Sequence, residues 1–184
     1  TGRGTAAELV VAIPALGDDP CDRAVLLMIE QAAQGALGLV VNSPSATPVA
    51  EHLPDLVPLL ASPAMFFVGG PVAVGGLLAL GRRTLEQAAS HSNEVAGPVV
   101  LVEPQALVNG EVAGIDVVRL YTGYSGWAPG QLDAELTSGA WHLLPALPDD
   151  VFTSDPEHLW RRVMRRQGGR LAAQGLYPDD LSVN

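Results

Sequence analysis

The chain has 184 residues, of which 48% are hydrophobic, and its twenty acidic and ten basic residues leave a net charge of −10. That apolar content excludes a disordered chain, and the length suits one domain with a sizeable core. An acidic surface repels phosphates, so non-specific nucleic-acid binding is disfavoured.

The small, polar start "TGRGTAAE" is expected to be a flexible lead over residues 1–7. "ELVVAI" (8–13) predicts a strand ended by Pro14. The single cysteine, Cys21, follows in "DPCDR". Asp19 and Asp22 beside it disfavour a thiolate, so an unreactive small residue is expected. A lone cysteine permits no intramolecular disulfide, which fits a reducing cytoplasm. "AVLLMIE" (24–30) and "ALGLVVN" (36–42) are near-continuous apolar runs of strand length. The link between them allows a hairpin, and burial on both faces is expected, with a short buried helix the alternative.

Thr47 and Pro48 predict a helix cap and first turn, with Pro54 and Pro58 restricting the helix to short pieces. "AMFFVGG" (64–70) and "GLLAL" (76–80) predict strands around a tight turn. Residues 81–97 are polar and aperiodic and predict a loop. "PVVLV" (98–102) and "DVVRLY" (116–121) are further strands, with one helical turn at "PQALV". Pro129 fits a first helical position, Leu132 and Leu136 share one face, and Gly139 fits a helix stop. "WHLL" (141–144) is a short strand. Asp155 and Pro156 predict a helix start, and Leu159, Trp160, Val163 and Met164 form one apolar stripe. Gly168 and Gly169 end that helix and leave an extended tail over 170–184. Strands dominate and do not alternate with helices, which predicts an α+β fold in one domain over residues 8–169. No apolar run approaches the ~18 residues of a spanning helix. A cytoplasmic protein with no membrane partner is therefore expected.

The segment "GYSGWAPGQLDAEL" (123–136) concentrates the candidate chemistry. Its "GYSGW" invites comparison with the G-x-S-x-G nucleophile elbow, but Trp127 stands where the last glycine is required, and the helix is delayed to Pro129. Ser125 is therefore not expected to be a nucleophile. A phosphate-binding P-loop requires lysine, and all ten basic residues are arginine. The "GGP" of Gly69, Gly70 and Pro71 offers a weak anion nest, with a tight strand corner the favoured alternative. Gln131 and Glu135 share a helix face. They are expected to tie down the glycine-rich segment; as an alternative, Glu135 is the one candidate general base. His52, His91, His142 and His158 are scattered singly, so no metal is expected. Arg161, Arg162, Arg165 and Arg166 fall late in the last helix, where cations complement the helix dipole. They also offer a basic strip to an anionic partner.

"GALGLVVNSP" (35–44), "FVGGPV" (67–72), "GYSGWAPGQLDAEL" with Trp141 just after it, and the late helix bearing Trp160 together resemble the AlgH-like family of bacterial proteins. Members are often labelled transcriptional regulators and are largely uncharacterised. The resemblance implies an α+β fold with a bifurcated, barrel-like sheet and a few short helices packed outside. It implies no established catalytic residue and no cofactor. The family usually shows Asn-Arg-Pro where this chain has Asn42, Ser43 and Pro44, which removes any anion contact of that arginine. It often has alanine at position 125. The tail "LYPDDLSVN" resembles actinobacterial members.

The expected function is that of a regulatory module that binds an unidentified protein or small ligand and does not contact DNA directly. Its site is expected where Asn42, Gly69, Gly70 and Pro71 meet Gly123, Tyr124, Gly126, Trp127, Gln131 and Glu135. The rivals are an enzyme acting on a small molecule at the Gly123–Glu135 corner, and a homo-oligomeric scaffold.

Overall fold

The computed structural model describes residues 8–13, 23–84 and 94–176. The expectations for the lead, Cys21, His91 and residues 177–184 lie outside them. Among the described residues, ten strands and five short α-helices form an α+β fold. The strands are β1 (Glu8–Ala12), β2 (Val25–Ala32), β3 (Gly35–Val40), β4 (Pro44–Pro48), β5 (Met65–Val68), β6 (Val72–Arg83), β7 (Glu94–Ala96), β8 (Val99–Val102), β9 (Ile115–Trp127) and β10 (Trp141–Pro145). The helices are α1 (Pro104–Val108), α2 (Gln131–Thr137), α3 (Pro148–Val151), α4 (Leu159–Arg166) and α5 (Gly169–Gln174).

The main path of the sheet runs β10-β1-β2-β3-β9-β6-β8-β7. It forks at β9, which also pairs in parallel with β5 (Phe67 opposite Tyr121), and β5 carries β4 on its other side. The fork is the bifurcation expected of the fold. The sheet does not close into a barrel, since β10 and β7 remain its two ends.

The near-continuous apolar runs are explained by layers on both faces. In β1 to β3, Leu9, Val11, Val25, Leu27 and Leu39 share one core with the α4 stripe of Leu159, Trp160, Val163 and Met164. The alternate residues Val10, Leu26 and Met28 pack with Trp127 and Leu132 on the other face. A third core sets Ala79, Val100, Val118 and Leu120 against Leu56 and Leu107. The α4 stripe also makes a polar contact, as the Trp160 indole donates to the Ala12 carbonyl at 2.9 Å.

Several elements differ from the sequence-based expectation. Thr47 and Pro48 end strand β4, and only 3₁₀ turns follow, at Val49–Glu51 and Pro54–Leu59. The polar region 81–97 is not all loop: β6 runs on to Arg83 and β7 covers Glu94–Ala96. Arg82 sits opposite Val99 and Val117, and its guanidinium meets Asp116 at 3.0 and 3.1 Å. A strand with a charged exposed side hides its alternation when read as a run. β9 does not end at Tyr121 but continues through Trp127, so "GYSGW" is strand and not loop. Helix α4 starts at Leu159, three residues later than Pro156, and α3 was not anticipated. Gly168 and Gly169 do separate two helices, but the chain re-enters a helix at Gly169–Gln174, where an extended tail was expected.

Candidate functional site

The "FVGGPV" and "GYSGW" segments meet at a backbone crossing. Gly69 donates its N–H to the Thr122 carbonyl at 2.9 Å, and its own carbonyl accepts from Val40. Val72 pairs with Tyr124. A Cβ added to Gly70 would lie 2.2 Å from the Tyr124 carbonyl carbon, and one on Gly123 would lie 2.4 Å from the Gly70 carbonyl oxygen. Such distances exclude any side chain, so these glycines are required by the close approach of two backbones. Ser125 lies in mid-strand and donates its hydroxyl to the Gly69 carbonyl at 3.2 Å. Gly126 pairs with Leu37, and Pro71 is exposed. The corner is filled with protein.

Beyond it, Glu135 is the hub of a polar cluster. Its Oε2 accepts the indole N–H groups of Trp127 at 3.0 Å and Trp141 at 2.8 Å. Its Oε1 accepts from the Gln131 amide at 2.9 Å, and the Gln131 carbonyl oxygen accepts the Ala128 N–H at 3.0 Å. The two indoles meet edge to face, 6.4 Å between centroids. Partial burial pushes the Glu135 carboxyl upward, but the hydrogen bonds from Gln131, Trp141 and Trp127 together outweigh it, and its pKa falls below the usual carboxylate range. A carboxylate with depressed proton affinity and three committed donors is a poor general base.

Because the folded-state pKa is the lower one, this carboxylate contributes stability above its unfolded value of about 4.3, and loses it as pH falls through the folded value. Glu135→Gln keeps the shape but turns an acceptor into a donor. It is expected to cost about 1–3 kcal/mol at pH 7. The gap to the parent, read from urea midpoints, should narrow at pH 3.5. An equal gap at both pH values would refute the assignment.

Asn42 is also committed to the fold. Its Oδ1 accepts from Val25 N–H at 2.9 Å and its amide donates to the Arg23 carbonyl at 2.8 Å, pinning the start of β2 to the end of β3. It joins the glycine corner only through the chain, where the Ser43 carbonyl accepts from Val68 at 2.8 Å.

The arginines of α4 do not form one free strip. Arg166 grips the buried Asp150 with both terminal nitrogens, at 2.6 and 2.7 Å, and donates to the Pro145 carbonyl at 2.9 Å. Asp150 in turn accepts from Leu147 N–H at the start of α3. Arg162 is held by Asp155 and Thr153. The exposed Arg165 packs its stem near Gly175, and Arg161 is half-buried.

An open concavity lies beside the corner. Opposite the single residue Gly123, β6 inserts residues 73–76 between the Val72–Tyr124 and Leu77–Thr122 pairs. This wide bulge is exposed throughout, and Ala73 adopts φ 49°, a left-handed conformation unusual for a residue with a side chain. Between the bulge and the β4 segment opens a cleft of about 440 Å³. Phe66, Leu53 and Leu77 form apolar walls, and Ser45, Thr47, Thr122 and His52 bring polar groups. The His52 ring meets Phe66 edge to face, 5.8 Å between centroids. Bulges that re-aim a strand beside a cavity are a recurrent device at binding sites. Sequence reading missed this cleft because its lining comes from five separate segments. The glycine pair Gly75-Gly76 on its rim was the one local signal.

A second feature missed was Arg119, 2% exposed in the middle of β9. Its guanidinium donates to the carbonyls of Val151 (2.9 Å), Thr153 (3.0 Å) and Ser62 (2.7 Å), and lies 4.2 Å from the Phe67 ring centroid. No carboxylate faces it among these contacts. An arginine inside the apolar run "DVVRLY" was the available sign that a buried cation had to be satisfied there.

Among the described residues, no three potential metal ligands cluster and no helix is long and apolar enough to cross a membrane. Fold and site thus define an α+β protein with a forked, mostly antiparallel sheet, a tryptophan-clamping glutamate and an open, mixed-polarity cleft. The AlgH-like family model matches residues 9–172, and the chain belongs to that family. It is 40% identical over 180 residues to a UPF0301 protein of Streptomyces coelicolor, covering 96% of this chain and 93% of that one. A UPF0301 protein of Mycobacterium tuberculosis is 38% identical over 165 residues, covering 88% and 82%. Among solved structures, protein DIP2367 of Corynebacterium diphtheriae superposes with a TM-score of 0.85 at 29% identity, covering 96% of this chain and 94% of the other. The AlgH protein of Pseudomonas aeruginosa, in its solution structure, gives 0.68 at 29% identity, with 98% of each chain covered.

Proposed function

We propose that this chain is a cytoplasmic regulatory binding module that acts through a small ligand or a protein partner and not by direct contact with DNA. The observation that carries this reading is the open cleft between β4 and the β6 bulge. A cleft of about 440 Å³ falls in the range of small-molecule sites, which combine apolar walls with a few convergent polar groups. The commitment of Glu135 to two indoles and an amide leaves the enzymatic rival without its base. The net charge of −10 and the internal pairing of Arg162 and Arg166 both oppose phosphate binding.

A thermal-shift screen of uncharged and charged metabolites tests the reading. A ligand at a hundred times its Kd should stabilise the protein by about 2.7 kcal/mol, or about 5–10 °C for a chain of this size. The shift should vanish in Gly75→Leu. Gly75 lines the cleft and a Cβ there meets nothing within 4 Å, so leucine adds bulk at the rim without disturbing the fold. Shifts that persist in Gly75→Leu would move the site elsewhere. Salt-dependent DNA binding that disappears on replacing Arg161 and Arg165 would overturn the reading.

A further inference from the structure

The lining chemistry of the cleft selects a ligand class; this deepens the binding-module reading and rests on it. The residues that line the cleft contribute no carboxylate, ammonium or guanidinium group. A charged ligand group placed there would lose part of its hydration with no carboxylate, ammonium or guanidinium of the lining to offset it, so an uncharged ligand is favoured. The acidic surface adds repulsion against anions.

Beside the His52 imidazole, the polar groups are hydroxyls with capacity to spare. Ser45 Oγ accepts the Thr47 N–H at 3.1 Å and retains its own proton to donate. Thr122 Oγ1 reaches the Phe67 carbonyl only at a long 3.5 Å and keeps its lone pairs free. A hydroxyl turns to donate or accept as its partner requires, so these groups suit a ligand edge that presents both kinds of atom.

The walls favour a flat body. Leu77 and the largely buried Phe66, 7% accessible, line the cleft together with the side-chain-free rim of Gly75 and Gly76. The exposed His52 ring, held edge to face against Phe66, offers an aromatic face to a ligand. Aromatic faces stack on planar rings with geometric preference beyond simple burial.

The geometry points to an uncharged planar heterocycle carrying both donors and acceptors, of the nucleobase or nucleoside kind, as the ligand of this cleft. Two-dimensional NMR of the full ¹⁵N-labelled chain tests this with four probes: adenosine, uridine, adenosine monophosphate and leucinamide. At least one nucleoside should shift the amides of Gly75, Gly76 and Thr122 in a saturable way. The monophosphate should bind at least about tenfold more weakly, for lack of a counter-charge. Thr122→Val keeps a β-branched strand residue and removes the hydroxyl, and it should weaken nucleoside binding about tenfold. Gly75→Leu should abolish it. The inference is overturned if the monophosphate binds more tightly than the nucleoside, or if Thr122→Val changes nothing. Leucinamide alone occupying the cleft would overturn the ligand class and leave the binding-module reading standing. A broad metabolite screen that shifts no cleft amide would overturn both.

Discussion

Gly123→Ala is expected to abolish folding or to lower the thermal midpoint by more than about 10 °C, whereas Gly130→Ala should cost only about 2–4 °C. The two glycines share almost the same backbone conformation, φ 69° and 74°. Their surroundings differ. A Cβ at Gly130 meets nothing within 4 Å, while one at Gly123 would lie 2.4 Å from the Gly70 carbonyl oxygen and 2.9 Å from that of Val72. Both changes pay the left-handed penalty of about 1 kcal/mol. Only Gly123→Ala must also push two strands apart, which breaks the β6–β9 pairing at its fork and should raise the total above about 4 kcal/mol. Equal midpoints for the two variants, read by circular dichroism, would show that the crossing yields easily and is not the tight corner described.

Arg119→Met is expected to destabilise by about 3–5 kcal/mol, the range for breaking a buried polar network. The guanidinium is buried without a carboxylate, and burial lowers its pKa, an effect only partly offset by Tyr121. Its contribution is therefore not that of a salt bridge. It supplies donors to three carbonyls from two distant segments, at Ser62 and at Val151 and Thr153. Methionine fills similar volume but leaves those acceptors unpaired, at about 1–3 kcal/mol each. Removing a desolvated cation offsets part of this. Arg119→Lys should fall between the parent and Arg119→Met, because one ammonium cannot reproduce the planar fork. Urea unfolding measures the series. If Arg119→Met proves as stable as the parent, the arginine is dispensable to the fold.

Helix α4 and the β2–β3 hairpin were legible because each writes its burial into local periodicity. Leu159, Trp160, Val163 and Met164 stand at helical spacing, and all four are buried. The "GYSGWAPGQLDAEL" segment was legible in part. Gly139 and the Gln131–Glu135 pairing follow from spacing within one helix turn, whereas Pro129, expected at the first helical position, lies outside the helix, which starts at Gln131 behind a left-handed Gly130. The strand character of "GYSGW" did not, since its glycines signal a loop to any local reading and are explained only by the strand that crosses them. The four arginines of α4 looked alike along the helix, yet Arg166 finds Asp150 and Arg162 finds Asp155.

The sequence by itself determined the α+β class, the family, most strands and the tie between Gln131 and Glu135, because those rest on patterns within a few residues. Only the tertiary structure decided which glycines are sterically obligatory, which cation is buried, that the sheet forks without closing, and where the open cleft lies. Those properties arise from contacts between residues tens of positions apart, such as Ser62 with Arg119 or Gly70 with Gly123. Local propensity carries no record of such pairings; only the packed backbone does.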